Sequence, residues 1–130
     1  MKKKQNNLYV DGFVLVVEKK NLAAYKKMAT VGGKVWMKHG ALDYKECVGD
    51  DLKPSMGGMK IMTFPELVKI KKGELVVFSY IVYKSRKHRD EVNAKVMKDA
   101  AMNDPKFKEM TMPFDMKRMS YGGFKVLVDA

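Results

Sequence analysis

LVVFSYIVY, residues 75–83, is the stretch that settles the architecture. Apart from Ser79 it is made of β-branched, aromatic and other apolar side chains, the composition of a β-strand. Alternation sets Leu75, Val77, Ile81 and Tyr83 on one face and Val76, Phe78, Tyr80 and Val82 on the other. A strand apolar on both faces is covered on both sides.

Three further stretches read as strands. Residues 8–17 (LYVDGFVLVV) and 119–128 (MSYGGFKVLV) lie near the two ends of the chain. Residues 41–48 (ALDYKECV) alternate, with Leu42, Tyr44, Glu46 and Val48 on one face. Between the first two, Leu22, Tyr25, Met28, Ala29, Val35 and Trp36 recur at helical spacing, with Asn21 as N-cap and His39-Gly40 as the close. Gly32-Gly33 inside this helix predicts a kink or a tight packing contact. Ser85 caps a second helix with Val92, Val96 and Ala100 on one stripe. Asn103-Asp104-Pro105 ends it, and a short helical turn follows up to Met110. Residues 49–63 read as a loop rich in Gly, Asp, Pro and Met, residues 64–70 as a short strand or turn, and 71–74 as a turn.

The order is β-α-β-β-α-β, the split pattern of the ferredoxin-like α+β fold, in which the first and last strands lie side by side. Tyr9-Val10-Asp11-Gly12-Phe13 in one of these strands is echoed by Tyr121-Gly122-Gly123-Phe124 in the other. Two helices cover one face of such a sheet. A second copy of the sheet is the simplest cover for the other, so a homodimer is expected.

The chain has 130 residues, 46% hydrophobic and 32% charged, which describes one globular domain over residues 8–130 behind a flexible basic N-terminus, 1–7. Its apolar runs are too short to span a bilayer, and no apolar signal segment follows the basic first residues, so no membrane partner is expected. A lone cysteine, Cys47, forms no intramolecular disulfide and suits a reducing compartment, read here as the cytoplasm. It is expected to be buried and inert. One Cys and two separated His residues fall short of a structural zinc site, and neither metal nor cofactor is expected. His39 and His88 have no Ser or Cys nucleophile in their local sequence, and Gly57-Gly58 and Gly122-Gly123 lack phosphate-loop spacing. The net charge of +11 is spread over pairs such as Lys19-Lys20, Lys26-Lys27 and Lys71-Lys72. That is a solvated surface, and nucleic-acid binding would be weak and sequence-independent.

Several segments resemble one family. They are Tyr9-Val10-Asp11-Gly12-Phe13, Glu46-Cys47, residues 76–83, Ser85 with Arg89-Asp90, Asn93 with Lys95, and Met112-Pro113-Phe114-Asp115 through Lys117-Arg118-Met119 to Tyr121-Gly122-Gly123-Phe124. Together they are similar to the YbaA-like proteins, a bacterial family of unknown function in the dimeric α/β-barrel superfamily. The resemblance covers nearly the whole chain after Gln5 and implies two ferredoxin-like subunits with sheets packed face to face. That superfamily includes cofactor-free monooxygenases, haem-degrading enzymes, isomerases and members without known chemistry, so membership transfers no reaction. Two departures stand out: residues 51–63 are longer and methionine-rich, and Met116 stands where a glycine is usual.

The candidate ligand-binding residues are Asp11, Arg118, Tyr121, Asp115 and Arg89. Asp is depleted from strand interiors, so Asp11 in an apolar strand marks either a ligand contact or a bulge with a basic partner. Adjacency of the end strands predicts that Asp11, Arg118 and Tyr121 meet. The Tyr25, Met28 and Trp36 stripe reads as core rather than ligand pocket. Met56, Met59 and Met62 suggest either a lid or a loop without a role. Two functions remain: a small-molecule protein, binder or cofactor-free enzyme, with a pocket in the barrel, and an RNA-binding module with a basic surface.

Overall fold

The structure is a computed structural model and describes residues 7–130. Except for Asn7, the expected N-terminal arm lies outside the described residues. The two long strands, β1 (Tyr9–Glu18) and β3 (Glu74–Tyr83), pair antiparallel along their whole length, from Tyr9 opposite Tyr83 to Glu18 opposite Glu74. β2 (Asp43–Val48) flanks β3, and β4 (Ser120–Lys125) flanks β1, which gives the order β2-β3-β1-β4. All pairs are antiparallel, and this is the ferredoxin-like sheet expected from the element order.

The helices α1 (Leu22–Lys38) and α3 (Arg86–Met97) lie on one face of the sheet. There Tyr9, Leu15, Val17, Val77, Ile81 and Tyr83 meet Tyr25, Ala29 and Val35 of α1 and Val92 and Val96 of α3. Each large apolar side chain buried in this way stabilises the fold by roughly 1.5–3 kcal/mol. Ser85 caps α3 by accepting the His88 N–H at 3.0 Å. Ala100, expected on the α3 stripe, is instead exposed just beyond the helix, and Asp99 takes the buried position. The Asp99 carboxylate accepts from the Ala101 N–H and from His39 and Lys38, which ties the C-terminal end of α1 to that of α3.

Gly32 and Gly33 do not interrupt α1, which continues through them to Lys38. They make a close contact: a Cβ on Gly33 would stand 3.0 Å from the Tyr44 ring of β2. Asn21 makes no side-chain cap, because a 3₁₀ turn over Lys19–Asn21 leads the chain into the helix. Residues 64–70, read as a strand or turn, begin with a helical turn, α2 (Phe64–Leu67). The Thr63 hydroxyl caps it by accepting the Glu66 N–H, and Pro65 favours the first turn. A second short helical turn, α4 (Pro105–Lys108), starts at the expected proline.

The face of β3 away from the helices is covered only in part. Val16, Val76 and Val68 form a small cluster with Leu52 and Ile70 from the segment joining β2 to β3. Beyond it Phe78 is 44% and Phe124 62% exposed, with Val10, Tyr80 and Val82 half-buried beside them. Cys47 is on this side of β2 and is exposed, not buried as expected, because an edge strand has no neighbour there. The methionine-rich loop also leaves from this side. Met56, Met59 and Met62 in it are exposed.

Candidate functional site

Two carboxylates project from the helix-covered face, in neighbouring rows of side chains. One row runs Gly123, Asp11, Ile81, Tyr44 across the four strands, and the next runs Tyr121, Phe13, Ser79, Glu46.

Asp11 is 1% exposed. Arg89 of α3 donates from Nη1 to its Oδ1 at 3.0 Å and to the Tyr121 hydroxyl at 2.9 Å. The same guanidinium lies over the Tyr9 ring, 5.0 Å from its centre. Tyr121 and Asn93 also hydrogen-bond the carboxylate, and the Tyr83 hydroxyl lies beside it. Asn93 Oδ1 accepts from Trp36 Nε1 at 3.1 Å and from the Tyr83 hydroxyl at 3.2 Å. Burial raises the Asp11 pKa above its ordinary value, against the opposing pull of Arg89 and of these hydrogen bonds. Gly123 leaves room for the assembly, since a Cβ there would fall 2.2 Å from the Tyr9 hydroxyl oxygen.

Asp11 therefore meets Tyr121 and Arg89, but not Arg118. Arg118 lies in a 3₁₀ turn, Met116–Arg118, and binds Glu74 through Nη1 at 2.8 Å and Asp115 through Nε at 2.8 Å. Glu74 is opposite Glu18, seven residues along β1 from Asp11, a separation of about 23 Å at ~3.3 Å per residue. The end strands are adjacent as expected, but the pairing of β1 with β4 ends at Val14 and Ser120, so Arg118 has already left the sheet. Asp115 caps this turn by accepting the Lys117 N–H at 2.9 Å. Its carboxyl and that of Glu74 are held below their usual range, chiefly by Arg118.

Glu46 is held quite differently. Its Oε1 accepts the Tyr25 hydroxyl at 2.6 Å and its Oε2 the Tyr44 hydroxyl at 2.7 Å. Among the described residues no Lys, Arg or His forms an ion pair with it. Burial, reinforced by the hydrogen bond to Glu46, pushes both tyrosine pKa values well above the ordinary one, so both hydroxyls stay protonated donors.

The Glu46 trio stands where two hollows meet. An inner cavity of about 270 Å³ lies between α1 and the sheet, walled by Phe13, Met28, Trp36, Ile81, Met102 and Phe114 among others. An outer groove of about 680 Å³ runs between α1 and the edge strand β2, with Lys26 and Lys34 along it. Tyr25, Ala29, Tyr44 and Glu46 line both. The stripe of Tyr25, Met28 and Trp36 read as core thus also walls a cavity, and the pocket methionines are Met28, Met102, Met112 and Met119 rather than those of the long loop. An apolar cavity with a few convergent polar groups is the usual form of a small-molecule site. The sequence reading left Glu46 out of the candidates. Its signal was a charged residue on the face shared by Leu42, Tyr44 and Val48.

Among the described residues, no three or more His, Cys, Asp or Glu side chains gather as a metal site would need, and no helix is long and apolar enough to cross a membrane.

Known proteins are similar to this chain at the levels of sequence and fold. It is 41% identical over 123 residues to the uncharacterised protein YbaA of Escherichia coli K12, covering 93% of this chain and 97% of that one. The YbaA protein of Shigella flexneri matches to the same extent. A crystal structure of a dimeric ferredoxin-like protein from an uncultured marine organism superposes with a TM-score of 0.55 at 15% identity, over 95% of this chain and 99% of that one. Residues 8–116 match the model of a family described as a protein of unknown function, DUF1428. The chain, YbaA-like along its length, belongs to the DUF1428 family.

Proposed function

We propose that this protein binds a small organic molecule in the cavity between α1 and the sheet, with Glu46 as its polar anchor. One observation carries the reading: a carboxylate held, among the described residues, by two tyrosine hydroxyls opens onto an apolar, aromatic-walled cavity. Among the candidates first read from sequence, Asp11, Arg89 and Tyr121 do not line the cavity, and Arg89, paired with Asp11, holds the Tyr121 hydroxyl. Tyr121 stacks on Phe13 with ring centres 4.6 Å apart, and Phe13 lines the cavity. Arg118 and Asp115 fasten the turn into β4 and take no part. Calorimetric titration with small aromatic compounds is expected to give one site per chain. Ala29→Met, which fills space common to cavity and groove, is expected to weaken binding about tenfold, or ~1.4 kcal/mol. Unchanged affinity in that variant would rule the site out.

The protein acts as a homodimer in this reading, with the uncovered sheet faces of two copies together. Support comes from the exposed Phe78 and Phe124 beside half-buried Val10, Tyr80 and Val82, an apolar surface of the kind that marks an interface. The ferredoxin-like protein of similar fold is described as dimeric. An exposed Cys47 on this face suits a reducing, cytoplasmic setting.

The same aromatics favour a second reading. Phe78, Tyr80 and Phe124 on an open four-stranded sheet, in a chain of net charge +11, are a platform on which RNA bases could stack. The two readings compete for one surface. Light scattering decides between them, since a dimer at micromolar concentration hides the platform and a monomer leaves it open.

A further inference from the structure

We infer that the cavity takes an organic cation, an amine or a quaternary ammonium, with its charge against the Glu46 carboxylate. The inference rests on the cavity reading above and adds the chemical class of the ligand.

Charge bookkeeping is the starting point. Asp11, Glu74, Asp99 and Asp115 each have a basic partner within ion-pair distance, and Glu46 has none among the described residues. Two neutral hydroxyls satisfy part of its hydrogen-bonding capacity, since a carboxylate offers about four acceptor positions. They leave the half-buried carboxylate without an ion-pair partner among the described residues, where the cavity meets the open groove. A cationic ligand supplies the missing partner.

The walls suit the same class. Phe13, Tyr25, Trp36 and Tyr44 line the inner cavity around Glu46, and aromatic faces attract a cation placed over them. Trp36 and Tyr44 already stand with ring centres 6.3 Å apart. An anion would meet the carboxylate head-on, and the tyrosine hydroxyls that could receive it are engaged by Glu46. A neutral apolar molecule would fill the space and leave the charge unpaired. Lys26 and Lys34 beside the outer groove are exposed, and salt at about 0.15 M screens such charges beyond ~8 Å. They slow the approach of a cation more than they weaken its binding.

Three probes of nearly one shape separate these cases: phenethylamine, phenethyl alcohol and phenylacetate, titrated calorimetrically into the full-length protein in about 0.15 M salt. The amine is expected to bind at least about tenfold more tightly than the alcohol, with phenylacetate weakest. Glu46→Gln is expected to erase the preference for the amine over the alcohol. Equal binding of amine and alcohol would overturn the cation assignment while the cavity reading stood. Binding of none of the three would overturn both. A preference that survived Glu46→Gln would place the cation elsewhere. Circular dichroism checks that the variant folds; if it does not, the amine-to-alcohol ratio of the wild-type protein decides alone.

Discussion

Asp11 and Glu46 are two carboxylates on the same face of the same sheet, in adjacent rows, and the fold treats them in opposite ways. Asp11 is on a central strand, closed in by Arg89, Tyr121, Tyr83 and Asn93, with helix α3 above it. Glu46 is on the edge strand β2, beside a helix that two glycines thin down, and among the described residues two tyrosines hold it. Their surroundings separate two jobs for an acid on this face, one buried and one half-buried. One with a cation and further polar neighbours joins elements of the fold. One with neutral donors and a cavity in front of it is kept for something else. Removing a single partner from the first leaves a buried charge unpaired, whereas the second already lives without one.

The largest expected effect comes from Arg89→Met. It keeps most of the aliphatic bulk but strands the Asp11 carboxylate, and breaking a buried pair in this way costs about 3–5 kcal/mol. Chemical denaturation measures it. A loss below about 1 kcal/mol, the scale of an exposed pair, would mean that Asp11 is not a structural joint.

Gly123→Ala tests the same region by volume. The new methyl would overlap the Tyr9 ring on which Arg89 rests, and overpacking of this kind costs about 1–3 kcal/mol. Wild-type stability in this variant would show that Tyr9 moves aside freely and that the guanidinium does not depend on it.

These two residues also mark how far the sequence could be read. The split order of strands and helices placed β1 beside β4 correctly, and Asp11 stood out because an acid is rare in an apolar strand. Its partner was harder to see. Arg118 would face Val16 rather than Asp11 even if β4 began two residues earlier, and pairing stops at Ser120, where the arginine folds back to Glu74. Arg89 belongs to a basic, charge-rich helix start whose sequence gives no sign that one of its side chains turns inward. Glu46 was legible as a charge on an apolar face and went unweighed, because its meaning lies in a cavity. A cavity is made by elements distant in sequence, here α1, β2 and the segment after α4, and no local pattern announces it. The reading of both β3 faces as apolar held, while the partial cover by Leu52, Val68 and Ile70 depended on a loop whose path the residues do not reveal.

Asp11→Asn carries a smaller effect with a distinctive pH dependence. Burial raises the Asp11 pKa in the folded protein above its unfolded value of about 3.9. Below that pH the acid is protonated in both states. As pH rises from about 4 through the folded value, the unfolded chain gives up the proton first, so the wild-type protein loses stability relative to the untitratable Asn variant. The depressed carboxyls of Asp99, Glu74 and Asp115 have the opposite sign, with stability present above about 4 and lost as pH falls further. They are common to both proteins and cancel in the difference. Denaturation at about pH 4 and 7 is expected to show the wild-type-minus-variant stability falling with pH. A difference that grew with pH would mean that Arg89 outweighs burial.

The smallest expected effect on stability belongs to Glu46→Gln, and its smallness is what sets the two acids apart. The amide has the same shape. Its oxygen can accept the Tyr25 hydroxyl as Oε1 does now, and its NH₂ can donate to the Tyr44 oxygen once that hydroxyl rotates away. No cation is stranded, because none is paired with Glu46 among the described residues. What is lost is the difference between charged and neutral hydrogen bonds, and relief from an uncompensated charge offsets it. The net change is expected to stay within about 1 kcal/mol in either direction, the scale of one ordinary hydrogen bond. Denaturation of Glu46→Gln beside Arg89→Met under one set of conditions measures the contrast directly. If Glu46→Gln cost as much as Arg89→Met, Glu46 would be a joint like Asp11, holding β2 to α1 through its tyrosines, and the cavity would lose its anchor. A variant as stable as the wild type leaves the carboxylate without a structural reason to be charged, and the reason must then lie in what the cavity binds.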